Sequence, residues 1–123
     1  MFRVVHFDIM ADDTARAVKF YKDVFGWKVE GWPGMEYWLV TTGPDDQPGI
    51  NGGIGPRRDP GAHTENSIQV PSVIEYSKKV EAAGGKIVRP KMPIPGVGWL
   101  AMAVDTEGNV FGLFEEDPTA KMP

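Results

Sequence analysis

The chain has 123 residues with 13 basic and 17 acidic side chains, a formal net charge of −4, and no cysteine. This length predicts a single domain with a core of its own, and the lack of cysteine excludes disulfides, thiolate metal sites and thiol nucleophiles. The acidic balance disfavours nucleic-acid binding, and the absence of a long apolar run or a signal pattern leads us to expect a cytoplasmic protein.

The first half of the chain predicts one helix and four strands. Alternating apolar side chains indicate a strand over residues 2–9. Residues 12–14 supply the polar side chains that begin a helix. Strands are then predicted over 27–32 and 36–41, and a short one over 50–54.

The second half repeats this order. A strand is predicted over residues 67–70, and Ser72 with Glu three residues later is typical of a helix start. Three further strands are predicted over 86–88, 99–104 and 110–114. The chain is therefore expected to be an α+β protein built from two βαβββ units.

Segments between and after these strands carry their own predictions. The proline-rich stretch 90–98 predicts a stiff loop, which could lie over a ligand site as a flap or form a rigid rim without ligand contact. The acidic run 115–117 is expected to be solvated, and the tail from Asp117 is expected to be frayed.

An internal repeat is visible in the alignment of the two halves. Gly26–Val29 matches Gly84–Ile87, and His6–Ile9 matches Ser67–Val70 at a shift of 61 residues. Ile50–Gly53 likewise falls opposite Val110–Leu113. Few residues are identical, but the pattern of strands, helix and turns agrees throughout, which indicates a duplicated unit.

Three marks in this order resemble the vicinal-oxygen-chelate superfamily, which includes glyoxalases, extradiol dioxygenases, fosfomycin-resistance proteins and bleomycin-binding proteins. They are His6, the run Phe20–Trp27 at the end of the first helix, and Asp105–Asn109 before the last strand. The resemblance covers roughly residues 2–116.

The resemblance implies two pseudo-symmetric βαβββ modules that form a curled eight-stranded mixed sheet around a cup. Module one would span residues 1–58 and module two 63–117, followed by a tail over 118–123. A homodimer is common among such proteins, and we expect one here.

The resemblance also implies where a metal would be held, by first-strand and last-strand residues of both modules. These positions fall on His6, Ser67, Gly52 or Gly53, and Gly112. Only the first is a metal ligand, and a glycine would both open the cup and remove a carboxylate. We therefore predict no metal and no other cofactor, while a divalent metal on a substitute set stays open. That set would be His6, Asp8, His63 and Glu65.

Polar residues of the first strand of each module predict the ligand site. His6 and Asp8 alternate with apolar neighbours, as do Ser67 and Gln69, so all four are expected to line the cup. His6 is the candidate catalytic residue because imidazole transfers protons near neutral pH. The aromatic walls of the pocket are predicted to be Tyr37, Trp38 and Trp99.

The leading functional hypothesis is a glyoxalase-like protein that binds an unidentified small molecule in the cup without the superfamily's usual metal. One alternative is a metal-dependent lyase or isomerase of the glyoxalase type that uses His6. Another is a non-catalytic protein that sequesters a drug or metabolite, like the bleomycin-resistance proteins.

Overall fold

Eight strands and two helices follow one another along the chain in the predicted order, in a computed structural model that describes residues 1–58 and 60–122. The first five elements are β1 (Val4–Ala11), α1 (Thr14–Phe25), β2 (Lys28–Gly31), β3 (Trp38–Thr41) and β4 (Gly52–Pro56). The other five are β5 (Thr64–Gln69), α2 (Val73–Ala82), β6 (Lys86–Ile94), β7 (Gly98–Val104) and β8 (Val110–Glu116). Within the described chain, neither helix is long and apolar enough to cross a bilayer.

The residues form two compact units, which are described separately. The first unit is Val5–Glu65, and the second is Met1–Val4 together with the chain from Asn66 onward. The second unit includes the amino terminus because the backbone N–H of Phe2 donates to the Gln69 carbonyl at 2.7 Å. The Phe2 ring also lies 5.2 Å from the Tyr76 ring, centroid to centroid.

The first unit is a four-stranded sheet covered on one face by α1. Its strand order is β2-β3-β4-β1, with β1 parallel to β4 and the other pairs antiparallel. The helix begins at Asp13, whose side chain accepts from the Arg16 N–H, and ends at Gly26 with φ of 69°, the left-handed conformation that glycine adopts without strain. Ala11, Val40 and Ile54 are buried beneath the helix. The opposite side of this sheet is called the open face.

The second unit repeats this plan. Its strand order is β5-β8-β7-β6, with β5 parallel to β8 and the remaining pairs antiparallel. The core beneath α2 is formed by four buried residues, Val70, Val73, Ala101 and Leu113. The predicted α+β class and the duplicated βαβββ plan are thus confirmed, with eight strands in mixed β-sheet.

Helix α2 receives two caps at its amino end. The Ser72 hydroxyl accepts from the Glu75 N–H at 3.1 Å, as the sequence predicts. The Glu115 carboxylate accepts from the Val73 N–H at 2.9 Å, where the positive end of the helix dipole favours an anion. The expectation that residues 115–117 are merely solvated is therefore wrong at this residue.

The proline-rich segment 90–98 is mostly strand, so the predicted loop is wrong. Strand β6 continues to Ile94, and Met92 and Pro93 lie opposite Leu100 and Trp99 of β7. The ladder shifts register twice between Ile87 and Met92. Proline is compatible with this strand because β6 is at the edge of the unit's sheet, where one side of the backbone needs no partner.

The expectation of a frayed tail from Asp117 is also wrong for the described residues. The Asp117 N–H donates to the Val97 carbonyl at 3.0 Å, and the Gly96 N–H donates to the Ala120 carbonyl at 2.9 Å. Ala120 is buried. These bonds fix residues 117–120 against the turn that joins β6 to β7.

Candidate functional site

Three polar side chains meet on the open face of the first unit. His6 and Asp8 are two residues apart on β1 and therefore lie on the same side of the strand. The Tyr37 hydroxyl donates to Asp8 Oδ1 at 2.5 Å and lies 2.9 Å from His6 Nε2. His6 Nε2 is also 3.1 Å from Asp8 Oδ1. These three residues are called the His6 cluster.

One arrangement of protons satisfies every hydrogen bond of the His6 cluster. Because the Tyr37 proton is directed at Asp8, the phenol oxygen is left as an acceptor for His6. With Asp8 ionised, its carboxylate also only accepts, and the His6 tautomer that satisfies both contacts is the one with its proton on Nε2. In neutral His6, Nδ1 is then the acceptor nitrogen.

A floor of glycines holds the Tyr37 ring. Gly53 lies opposite Asp8 and Gly55 opposite Met10, so both glycines are on the open face of β4. A Cβ atom at Gly53 would overlap the Tyr37 hydroxyl and ring, and one at Gly55 would lie 3.3 Å from Tyr37 Cδ1. The expectation that a glycine here opens the cup is therefore wrong, because the phenol fills the space.

Gly52 and Gly53, the two candidates for the carboxylate position of the vicinal-oxygen-chelate superfamily, lie on opposite faces of β4. Gly52 lies opposite Phe7, and a Cβ atom there would overlap Phe7 on the helix side of the sheet. Only Gly53 shares the face of Asp8. Alternate glycines in a strand are typical of close approach by another group, and this signal could have indicated from the sequence that some group packs closely on β4.

The segment before β3 is fixed by bonds that sequence reasoning missed. The Trp32 N–H donates to the Tyr37 carbonyl at 2.8 Å, which closes the turn between β2 and β3. The hydroxyl of Thr14, buried at the start of α1, donates to Glu36 Oε2 at 3.0 Å. These contacts hold the backbone of Tyr37 in place.

The environment of Tyr37 favours its neutral form. Burial raises the pKa of its phenol far above the ordinary value, and the charge of Asp8 and the hydrogen bond to it act in the same direction. Tyr37 is thus a hydrogen-bond donor across the whole physiological pH range. His6 and Asp8 remain partly accessible, with 33% and 24% of their side-chain surface exposed.

Two predicted pocket residues, Ser67 and Gln69, belong to the second unit. Ser67 lies opposite Gly112 and Gln69 opposite Phe114. Ser67 is buried, and a Cβ atom at Gly112 would lie 2.5 Å from its hydroxyl oxygen. Here, too, a side chain occupies the space that the glycine leaves. The predicted cup shared by both modules stays a prediction.

The register of the strands corrects the sequence alignment of the two halves by one residue. The sequence aligns Ile50–Gly53 with Val110–Leu113, which equates Gly52 with Gly112. In the structure Gly52 lies opposite Phe7, whereas Leu113 lies opposite Ile68, the repeat equivalent of Phe7. A shift of one residue exchanges the two faces of a strand.

The two predicted tryptophans pack on the helix sides of their sheets. Trp38 contacts the apolar cluster beneath α1, and its buried Nε1 has no hydrogen-bond partner among the described residues. Trp99 contacts the cluster beneath α2, and its Nε1 donates to Asp117 at 3.0 Å. Lys91 Nζ lies 4.5 Å from the Trp99 ring centroid. Neither indole joins the His6 cluster.

The residues at the family's metal position do not fit a metal ion as they are arranged. A site needs three or four converging nitrogen or oxygen ligands, and in the described part of the chain no group of three His, Cys, Asp or Glu residues is close enough to form one. His6 Nε2 is within hydrogen-bond distance of Asp8 and Tyr37, so a metal ion at that nitrogen would have to displace both contacts. The substitute set with His63 and Glu65 is likewise not assembled.

Comparison with known proteins gives one family match within the chain. Residues 3–43 match the model of the bleomycin resistance protein-like N-terminal family. This range contains all three residues of the His6 cluster. No curated protein matches.

Solved structures match along nearly the whole chain. A glyoxalase/bleomycin resistance protein/dioxygenase superfamily member from Vibrio splendidus has a TM-score of 0.68 at 18% identity, over 95% of this chain and 100% of that one. A protein described as NAD-dependent benzaldehyde dehydrogenase from Legionella pneumophila has a TM-score of 0.65 at 19% identity, over 91% and 98%. A Streptomyces coelicolor methylmalonyl-CoA epimerase variant, in complex with 2-nitronate-propionyl-CoA, has a TM-score of 0.64 at 14% identity, over 99% of both chains.

These likenesses confirm the fold that the sequence marks had indicated. At identities below one fifth they carry the architecture and no activity. The function therefore has to be argued from the His6 cluster.

Proposed function

We propose that this chain, which has the fold of the vicinal-oxygen-chelate superfamily, binds a small molecule on the open face of its first unit without the superfamily's usual metal. The observation that carries the proposal is the Tyr37 phenol, which lies over Gly53 and is bonded to both His6 and Asp8. The position that would hold a metal-binding carboxylate is occupied by a neutral hydroxyl group. The surrounding groups are arranged to bind through hydrogen bonds.

The cluster suits ligand binding because its polar groups are partly buried and already oriented. A carboxylate and an imidazole N–H on the same strand face provide an acceptor and a donor about one hydrogen bond apart. Orientation before binding reduces the entropy that a ligand must lose. If the protein turns over its ligand, His6 is the residue through which a proton would move.

A second candidate is a protein that sequesters a drug or metabolite without chemistry. The match of residues 3–43 to a bleomycin resistance protein-like family favours it, because His6, Asp8 and Tyr37 all lie in that range. Binding without any product by mass spectrometry would distinguish this candidate from an enzyme.

A metal-uptake experiment tests the part of the proposal that the protein binds its ligand without a metal ion. The purified protein is dialysed against Ni²⁺, Zn²⁺, Mn²⁺ or Fe²⁺, and bound metal is measured by mass spectrometry. We expect far less than one ion per chain. His63→Ala is the matched control for His6→Ala, because His63 is the other histidine of the chain and is exposed. Stoichiometric binding that is lost in His6→Ala would contradict the proposal; if it is kept in His63→Ala the ion is held at the His6 cluster, and if it is lost there too the ion is held by the substitute set.

Ligand screening tests the binding itself. Metabolites and aromatic drugs are screened by thermal shift, and each hit is then titrated against wild type, His6→Ala, Asp8→Asn and His63→Ala. Both cluster variants should weaken binding about tenfold or more, since a buried hydrogen bond to a charged group contributes roughly 1.5–3 kcal/mol. His63→Ala should bind like wild type. Hits that are insensitive to both cluster variants would place binding elsewhere.

The homodimer and the cytoplasmic location expected from the sequence remain part of the proposal. Light scattering after size-exclusion chromatography would give twice the mass of one chain for the dimer.

A further inference from the structure

We infer that Tyr37 is an internal occupant of the ligand site, and that this site takes a neutral planar molecule with a phenol-type or enol-type hydroxyl group. This inference rests on the proposed function and names its ligand class. The Tyr37 phenol occupies the position that the hydroxyl group of the ligand would take.

The shape of the site is that of a flat ring. The Tyr37 ring lies over Gly53 and Gly55, and a Cβ atom at Gly53 would overlap the phenol. The methyl carbon of Met10 lies 3.8 Å from where a Cβ of Gly55 would be, and so borders the same floor. Two glycines on one strand face leave a space next to the strand, and the planar Tyr37 ring fills it.

The polar groups select a hydroxyl. Asp8 needs a donor and receives one from Tyr37 at 2.5 Å, while His6 Nε2–H needs an acceptor and finds the phenol oxygen at 2.9 Å. One oxygen must therefore donate and accept at the same time. A ketone cannot donate to Asp8, a carboxylate would be repelled by it, and an ammonium group cannot accept from His6. A neutral hydroxyl on a planar carbon meets both requirements.

Tyr37 can leave the site without unfolding the turn that carries it. The backbone of residues 32–37 is held by the Trp32 to Tyr37 bond and by the Thr14 to Glu36 bond, neither of which involves the phenol. Rotation of the Tyr37 side chain would then free the hydrogen-bonding atoms of Asp8 and His6, whose side chains are already partly exposed. A ligand of wild type has to compete with Tyr37, so its apparent affinity is reduced by the fraction of time that the phenol is in place.

The inference can be tested by removing the Tyr37 side chain and asking whether added phenol binds in its place. Tyr37→Ala removes one phenol group, and phenol and benzene are titrated into wild type and variant by NMR. We expect phenol to bind Tyr37→Ala at least about tenfold more tightly than wild type, and more tightly than benzene binds the same variant. Asp8→Ala combined with Tyr37→Ala should abolish the preference for phenol. Tyr76→Ala, at a half-buried tyrosine of the second unit, is the matched control and should not gain phenol binding.

The inference is overturned if phenol and benzene bind Tyr37→Ala equally, or if a folded Tyr37→Ala binds phenol no better than wild type. A second measurement covers a variant that fails to fold. Wild type with ¹³Cζ-labelled tyrosine is titrated with phenol, and the Tyr37 signal should move toward that of an exposed tyrosine. A Tyr37 signal that stays unchanged at saturating phenol would also overturn the inference.

The ligand class and the proposed function can fail separately. If other small molecules bind wild type in a His6-dependent manner while phenol fails, only the hydroxyl ligand class is wrong. If no molecule in the screen binds in a His6-dependent manner, the proposed function itself is wrong.

Discussion

Two glycines, Gly53 and Gly55, allow the Tyr37 ring to take its position. Gly53 and Gly55 leave the space above β4, and the aromatic ring fills it. Asp8 and His6 then supply the acceptor and donor that a buried phenol requires. The sequence predicts all three polar residues as pocket residues, but it predicts Tyr37 as an apolar wall. Its hydrogen bonds could not be predicted because β1 and the segment before β3 are about 30 residues apart in the chain.

The raised pKa of Tyr37 gives a pH dependence that can be measured. In the unfolded chain its phenol ionises near the ordinary value of 10.0, whereas in the folded protein it stays neutral to higher pH. The stabilisation is therefore fully present below pH 10 and is lost as the pH rises above it. Above pH 10 the free energy of unfolding of wild type should fall by up to about 1.4 kcal/mol per pH unit more than that of Tyr37→Phe.

Urea titrations between pH 8 and pH 11 would measure this difference. Tyr76→Phe serves as the control and should follow the wild-type curve. If wild type and Tyr37→Phe lose stability in parallel above pH 10, the phenol is not held neutral in the folded protein.

At the level of elements, side-chain caps fix where the helices begin. Helix α2 has Ser72 at its amino end, which the sequence predicts from a local motif. It also has Glu115, which comes from β8 and lies 42 residues further along the chain than Val73, its bonding partner. The first cap is local and can be predicted from the sequence, whereas the second depends on the packing of β8 against α2.

Removal of the local cap should have a modest and specific cost. Ser72→Ala leaves the Glu75 N–H without its partner and should lower the free energy of unfolding by about 1 kcal/mol. Ser77→Ala, inside the same helix, should change it little, since alanine favours helix. Denaturant titrations of both variants provide the measurement. Equal losses in the two variants would show that Ser72 does not act as a cap.

For the whole molecule, the duplicated plan is what the sequence predicts best. Both halves show the same order of strand, helix and three strands, and both sheets have the same pairing. The spacing of apolar residues is a property of each segment by itself, so it can be read without knowledge of the tertiary structure. The loop over 90–98 and the frayed tail were predicted wrongly because edge-strand pairing and the contacts of residues 117–120 are non-local.

The proposal of a metal-free fold makes a prediction at this scale. If no ion contributes to folding, prolonged treatment with EDTA should leave the unfolding midpoint unchanged, because metal binding to the folded state would add to stability. Thermal melts before and after dialysis against the chelator provide the test. A midpoint that falls with EDTA and recovers with one added divalent ion would identify a metal that this fold requires.

The sequence by itself determined the class, the repeat, the helix starts and the residues of β1 that face away from the core. All of these follow from the local periods of strand and helix and from side chains that bond to nearby backbone. The tertiary structure alone decided which glycine faces the cluster and what fills the space beside it. The reason is the register of β4 against β1, where a shift of one residue exchanges the faces and turns Gly53 into the floor beneath Tyr37.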